Sequence, residues 1–293
     1  MVYPGSTFSR CNTNELTRVA SSELRFVAII PALNEAACIG RVVRQLRALV
    51  RRDGTPALAA VVVGDNGSTD DTCTEARAAG ALVARAAFRG YGHGCMAAIA
   101  AIAEAEPADV YLFVDGDDTL NYAEIESLLR AIECGADLAV GHRTRRARHS
   151  MSLAQRVGNA LCCVLIRLLW RADVHDLGPL RAIRASTFHA LDMQAFTYGW
   201  TLEMQIKAVE QKRVSVEIPV STLARRTGAS KVSSTWVAAA RCGRVMLLTI
   251  FSLWRTRASR MAAFTASRAR VQTVPLTEIY RYPSPVLNKE KSA

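Results

Sequence analysis

The sequence predicts an α/β protein: a mostly parallel central sheet flanked by helices, with an amphipathic helix near the C-terminus. Three observations predict it. Residues 25–141 alternate short apolar runs with segments of helical periodicity, the pattern of strand–helix–strand units in a parallel sheet. The polar clusters of this half, Asn34-Glu35, Asp65 to Asp70 and Asp115 to Asp118, each follow an apolar run directly. That is the carboxyl end of a strand, where open parallel sheets bind ligands. Finally, residues 236–254 form one long apolar stretch broken by Arg241 and Arg244.

Taken in order, residues 1–24 read as a loose leader without the apolar core of a signal peptide. A first strand, residues 25–30, should stop at Pro31. The helix after Asn34-Glu35 carries Ile39, Val42, Val43, Leu46, Leu49 and Val50 on one stripe, and Asp53-Gly54 ends it. A second strand, residues 58–63, delivers Gly64-Asp65-Asn-Gly-Ser-Thr-Asp70, with Ser68 or Thr69 as expected cap of the next helix. A short third strand follows near residue 82, then Gly90-Tyr-Gly-His-Gly94 and an Ala-rich helix. The fourth strand carries the acidic run, and another lies near residues 137–141. The second half is less regular: a helix over residues 153–170, a short strand after Asp176-Leu-Gly-Pro-Leu-Arg181, a helix opened by Tyr198-Gly-Trp-Thr-Leu-Glu203, and a last strand ending at Pro219. A basic loop around Lys231 and a polar tail from about residue 271 complete the chain.

Tyr111-Leu-Phe-Val-Asp-Gly-Asp-Asp118 is the most informative stretch. Strands of parallel sheets are buried on both faces, so acids clustered at such an end call for a positive partner. Mg2+ and Mn2+ take carboxylate oxygens and keep positions open for phosphates. Gly116 lets the backbone turn so that Asp115 and Asp117 converge. The plainer alternative is a turn, since Asp and Gly also end strands.

The formal charge of +11 is concentrated. Residues 218–277 hold ten Lys or Arg and no acid, and residues 138–172 hold seven Arg and no acid. Such blocks suit a polyanion: nucleic acid, anionic lipid or a phosphorylated substrate. The eight cysteines include no C-x-x-C pair and fit no zinc spacing, which points to a reducing, cytoplasmic compartment.

The glycine-rich loop fits the dinucleotide fingerprint poorly: its third glycine comes too early and it lies in the wrong unit. Beside Arg89 it could pass close to a phosphate. Asp65 could bind a base or ribose, or cap a helix. Asp176 could be a buried acid or a turn residue. Glu203 could act as general base or simply favour a helix N-terminus. In residues 236–254 each arginine would cost roughly 2.5 to 3.5 kcal/mol at a bilayer centre, so a spanning helix is disfavoured. Met246, Ile250 and Leu253 lie broadly opposite the arginines, as in a helix lying in a membrane interface. The alternative is a helix packed on the domain or on a second copy.

Six motifs in order, Pro31-Ala-Leu-Asn-Glu35, Asp65-Asn-Gly-Ser-Thr-Asp70, Asp115-Gly-Asp117, Asp176-Leu-Gly-Pro-Leu-Arg181, Tyr198-Gly-Trp-Thr-Leu-Glu203 and Gly228-Ala-Ser-Lys231, resemble glycosyltransferase family 2 over residues 25–235. The bacterial relatives of dolichyl-phosphate mannose and glucose synthases are the most similar subgroup. The resemblance implies a GT-A, Rossmann-like fold over residues 25–232, a basic helical region over 233–270 and a tail over 271–293. It implies an inverting hexosyltransferase with a UDP- or GDP-sugar donor, Mg2+ or Mn2+ as cofactor, and a lipid-phosphate or glycan acceptor. Nucleic acid is then no partner, and the basic blocks suit peripheral contact with the inner face of the plasma membrane; a homodimer or a non-catalytic scaffold is also open. By similarity Pro31, Ala32, Glu35 and Asp65 hold base and ribose, Asp115 and Asp117 the metal and pyrophosphate, Arg181 and Lys231 face phosphates, and Asp176 or Glu203 lies at the acceptor; Arg89 joins the donor-binding residues through its place beside the glycine-rich loop. Gly64 departs from the family, where many relatives have a further acid.

Overall fold

The computed structural model describes residues 24–51, 53–105, 107–144, 151–223 and 236–268. Residues 1–23 of the expected leader, the whole tail and Lys231 lie outside these residues. Seven strands form one sheet: β1 (Phe26–Ala32), β2 (Ala60–Asp65), β3 (Leu82–Arg85), β4 (Val110–Phe113), β5 (Leu138–Arg143), β6 (Arg181–Arg184) and β7 (Ser215–Val220). Their order is β3-β2-β1-β4-β6-β5-β7. β1 pairs in parallel with β2 and β4, β2 with β3, and β5 with β7; only β6 runs antiparallel, between β4 and β5. Because β6 reverses direction once on each side, the carboxyl ends of β1, β2, β4, β5 and β7 all open on one edge. The expected mostly parallel α/β architecture is met.

The helices are α1 (Ala36–Arg47), α2 (Thr72–Ala78), α3 (Tyr91–Ala105), α4 (Ile125–Glu133), α5 (Leu153–Trp170), α6 (Ala185–Leu191), α7 (Trp200–Glu210), α8 (Trp236–Arg255) and α9 (Arg257–Arg268). Periodicity explains which faces they bury. Ile39, Val42, Val43 and Leu46 of α1 and Leu128, Leu129 and Ile132 of α4 enter the core on one face of the sheet. Cys95, Ile99 and Ile102 of α3 and Trp200 and Met204 of α7 fill the other. A third cluster joins Ile166 and Trp170 of α5, Leu202 and Ile206 of α7, and Ile250 and Leu253 of α8.

Four local expectations are corrected. β1 runs through Pro31 to Ala32, because β4 pairs only as far as Ile29 and the missing N–H of Pro31 faces the side where its neighbour has ended. Pro219 likewise sits inside β7, an edge strand that tolerates it. α1 stops at Arg47, and Val50 leaves the stripe to bridge Pro56 across the Asp53-Gly54 turn. The apolar side of α8 expected to meet a membrane is spent instead on α5 and α7. Arg257 donates to the Leu169 carbonyl and Arg260 pairs with Glu210 at 2.7 Å, so α9 is tied to the ends of α5 and α7.

Candidate active site

The loops after β1, β2 and β4 meet at the shared edge. The first two are stitched directly. Asn34 N donates to Ser68 Oγ (3.0 Å), Thr69 N to Asn34 Oδ1 (2.8 Å), Glu35 N to Thr72 Oγ1 (2.8 Å) and Ala36 N to Asp70 Oδ2 (3.2 Å). Asn34 accepts the left-handed backbone (φ 49) this demands, which Asn tolerates better than most residues. Ser68 therefore links two loops rather than capping α2, whose capping position, Asp71, makes no side-chain hydrogen bond to the helix. The β4 loop packs onto the same place: a Cβ on Gly116 would stand 3.3 Å from Ile39 and 3.8 Å from the Ala32 side chain. Arg41 of α1 reaches Asp118 at 3.6 Å.

α3 closes the group. Gly90 N donates to Asn66 Oδ1 (2.7 Å), and the Tyr91 hydroxyl donates to Asp115 Oδ1 (3.2 Å). Burial and the Asp115 charge push the Tyr91 phenol well above its ordinary range, so it stays a neutral donor. The helix approaches so closely that a Cβ on Gly64 would lie 1.9 Å from the Gly94 carbonyl oxygen, which accounts for the glycine.

Asp115 and Asp117 stand at the rim, each half-buried. Asp117 Oδ1 accepts from Thr119 Oγ1 (2.7 Å), so both carboxylates are oriented by neutral hydroxyls. Asp65 lies fully buried below them. Its Oδ1 accepts from Ser68 N (2.9 Å) and Oδ2 pairs with Arg85 at 3.2 Å. Burial alone would raise its pKa, but the Ser68 and Arg85 contacts outweigh this and hold it below the usual carboxylate value. Asp65 thus shapes the loop from beneath. Pro31, Ala32 and Glu35 lie where the loops after β1 and β2 join, and Arg89 is exposed beside Gly67.

Three charged residues singled out in the sequence are held in buried networks. Asp176 is fully buried and grips Arg143: Nε to Oδ2 at 2.8 Å, Nη2 to Oδ1 at 2.7 Å, and the Arg143 backbone N to Oδ2 at 2.8 Å. Of the two alternatives it is the buried acid and not the turn residue, and its carboxylate is engaged by Arg143. Glu203 is almost fully buried; Oε1 pairs with Lys207 at 2.8 Å while Oε2 accepts from Gln194 N and Ala195 N. Arg181 does not face an open phosphate position. Its guanidinium is buried and donates to Gly178 O, Thr201 O and Gln205 Oε1, and burial lowers its pKa to about 10.

Sequence reasoning missed Tyr91, Arg143 and the His175–Glu217 contact (2.8 Å). Arg143 ends β5 at the same edge as the acids, so the carboxyl-end rule applied to Gly141-His-Arg143 would have found it. Burial opposes its charge, but Asp176 and then Asp115 more than compensate, which puts Arg143 within the electrostatic reach of the acidic loop.

Acids and cations thus gather at the carboxyl ends of β1, β2, β4 and β5, the edge where open parallel sheets bind ligands. Residues 27–197 match the family described as "Glycosyl transferase family 2", and the chain belongs to that family: it is a glycosyltransferase. A glycosyltransferase of Mycobacterium tuberculosis, itself uncharacterised, is 29% identical over 227 residues, covering 78% of this chain and 95% of the relative. A dolichyl-phosphate hexose transferase of Haloferax volcanii is 30% identical over 193 residues, 66% of this chain and 80% of that protein. Among solved structures, the M. tuberculosis glucosyl-3-phosphoglycerate synthase with Mn2+, UDP-glucose and glycerol 3-phosphate superposes with a TM-score of 0.62 at 21% identity, over 86% of this chain and 85% of that one. The likeness confirms the GT-A architecture.

Proposed function

We propose that this glycosyltransferase moves a hexose from a UDP- or GDP-sugar to a polyprenyl phosphate, with inversion, at the inner face of the plasma membrane. The observation that carries the reading is the meeting of the β1, β2 and β4 loops around Asp115 and Asp117. Their donor set suits a divalent cation: two carboxylates one residue apart, all-oxygen and hard. Among the described residues no cluster of three or more His, Cys, Asp or Glu forms a complete protein cage. Two carboxylates with the rest left to phosphates is the usual Mg2+ arrangement. Bound there, Mg2+ or Mn2+ would neutralise charge growing on the leaving diphosphate. Asn34, Glu35 and the Asp65 loop would hold the nucleoside, and Arg89 would steer the phosphates.

The state of the acids speaks for an anionic acceptor. Asp176 and Glu203, the two expected bases, are committed to Arg143 and Lys207. An acceptor phosphate is already charged and asks for no proton removal; it asks for cations, which the basic blocks supply. The name of the Haloferax relative supports a lipid phosphate. The mycobacterial synthase, whose ligands include phosphoglyceric acid, favours a second reading: a soluble phosphorylated acceptor.

The test is a transfer assay with purified full-length protein, Mn2+ and radiolabelled UDP-glucose or GDP-mannose. Polyprenyl phosphate in vesicles and 3-phosphoglycerate in solution are offered separately. Label entering the organic phase supports the lipid reading; label only in phosphoglycerate replaces it with the second.

A further inference from the structure

We infer that the outer face of α5, continued by the outer face of α8, is a docking surface for an anionic lipid bilayer. This rests on, and sharpens, the membrane part of the reading above. α5 is well formed: Ser152 and Gln155 cap its start reciprocally, at 3.2 and 2.9 Å. Its inner side, Cys162, Cys163, Ile166 and Trp170, is buried. Its outer side should then be polar, and it is not. Leu153, Val157, Leu161, Val164 and Leu168 recur every three or four residues and are all exposed, Leu153 by 66% and Leu168 by 70%. On neighbouring α8, Leu248, Phe251 and Trp254 are also exposed.

The charges choose the occupant. Arg156, Arg167 and Arg171 on α5 and Arg241, Arg244 and Arg255 on α8 are exposed. Neither helix carries an acid. Arg167 pairs with the exposed Asp173 just past the helix; the other five arginines lie among apolar side chains on helices that carry no acid, which suits the headgroup level of an anionic membrane. A second copy of the chain would instead set these arginines against each other. α5 is long and apolar enough to span a bilayer, but its packing on α7 and α8 holds it on the domain, so it would lie in the interface plane. The position serves an acceptor held in lipid: Asn159 of α5 accepts from Leu177 N, the residue after the Asp176 that grips Arg143.

The test is co-sedimentation of the full chain with phosphatidylcholine vesicles, with and without about one third phosphatidylglycerol. The wild type should bind the anionic vesicles and release with salt. Val157→Glu, Leu161→Glu and Leu168→Glu combined should cut binding at least tenfold. These positions are exposed, so melting and the thermal shift produced by UDP with Mn2+ should stay unchanged, which separates loss of docking from loss of fold. Unaltered vesicle binding by the triple variant would overturn the inference while leaving the transferase reading intact. Loss of self-association rather than of vesicle binding, in sedimentation velocity, would also overturn it, in favour of a dimer. Docking without transfer to any lipid phosphate would sink the acceptor assignment alone.

Discussion

Arg143 and Asp176 are joined by two parallel contacts of 2.8 and 2.7 Å, from the end of β5 to a segment 33 residues away. The carboxylate is fully buried and the Arg143 side chain partly so, 17% exposed. Removing one partner of such a pair strands a buried charge, at about 3 to 5 kcal/mol. Asp176→Asn should lower stability by about 3 kcal/mol in urea unfolding. In the double variant with Arg143→Gln the loss should fall short of the sum of the singles by at least ~1 kcal/mol. Additive losses would show that the pair is not coupled.

Asp115→Asn and Asp117→Asn should lower turnover at least about a thousandfold, the scale expected when charge stabilisation at a leaving group is lost. Neither carboxylate fills the core, so melting of the unliganded protein should change little. The stabilisation by nucleotide with Mn2+ should disappear in both variants, read by thermal shift. Persistence of the Mn2+-dependent shift in either would remove that residue from the metal site.

The strand ends were legible because their chemistry is local. An apolar run followed by Asp65 or Asp115 states both the strand and its polar end, and neither needs a distant partner to be recognised. Gly64 was legible only as an anomaly; its reason is the Gly94 carbonyl, thirty residues along and visible only once α3 is packed. The partners of Asp176, Glu203 and Arg181 were not legible for one physical reason. A buried charge and a catalytic charge look alike in sequence, and only the partner tells them apart. The partner of Asp176 is 33 residues away, and Arg181 spends its guanidinium on two carbonyls and Gln205. Helix α8 was legible as amphipathic, but not which of its sides would be covered.

Gly64→Ala should be among the most damaging small substitutions. The added Cβ meets backbone, not a movable side chain, at 1.9 Å. Overpacking costs about 1 to 3 kcal/mol where side chains can yield, and more where they cannot. A loss above ~3 kcal/mol in urea unfolding, or failure to accumulate as soluble protein, is expected. Wild-type stability would mean that α3 stands further from β2.

Asp65 gives the fold an acid-sensitive component. Its folded pKa lies below its unfolded value near 3.8, so its stabilising contribution is complete above that value. The contribution is lost as pH falls through the lower, folded pKa. Asp70 shifts the same way through its contacts with Thr72 and Ala36. The melting temperature should therefore hold from pH 7 to about pH 5 and drop below pH 4. Asp65→Asn should be less stable at neutral pH and lose part of that acid dependence. An identical pH profile in the variant would mean that Asp65 has the same pKa folded and unfolded.

Glu203→Gln distinguishes a structural acid from a catalytic one. Loss of a general base costs about a hundredfold to ten-thousandfold in rate, with fold stability untouched. The geometry requires the reverse. Lys207, itself buried, would lose its carboxylate, and the backbone N–H groups of Gln194 and Ala195 would lose a charged acceptor. Stability should fall by about 3 kcal/mol. At a temperature where the variant remains folded, kcat/KM should stay within about tenfold of wild type, because the Glu203 carboxylate is buried and taken up by Lys207, Gln194 and Ala195. Glu203→Gln/Lys207→Met, which removes both charges, should recover much of the stability and keep the same rate. A thousandfold rate loss at unchanged melting temperature would restore Glu203 as the base and, with it, a hydroxyl-bearing acceptor in place of a phosphate.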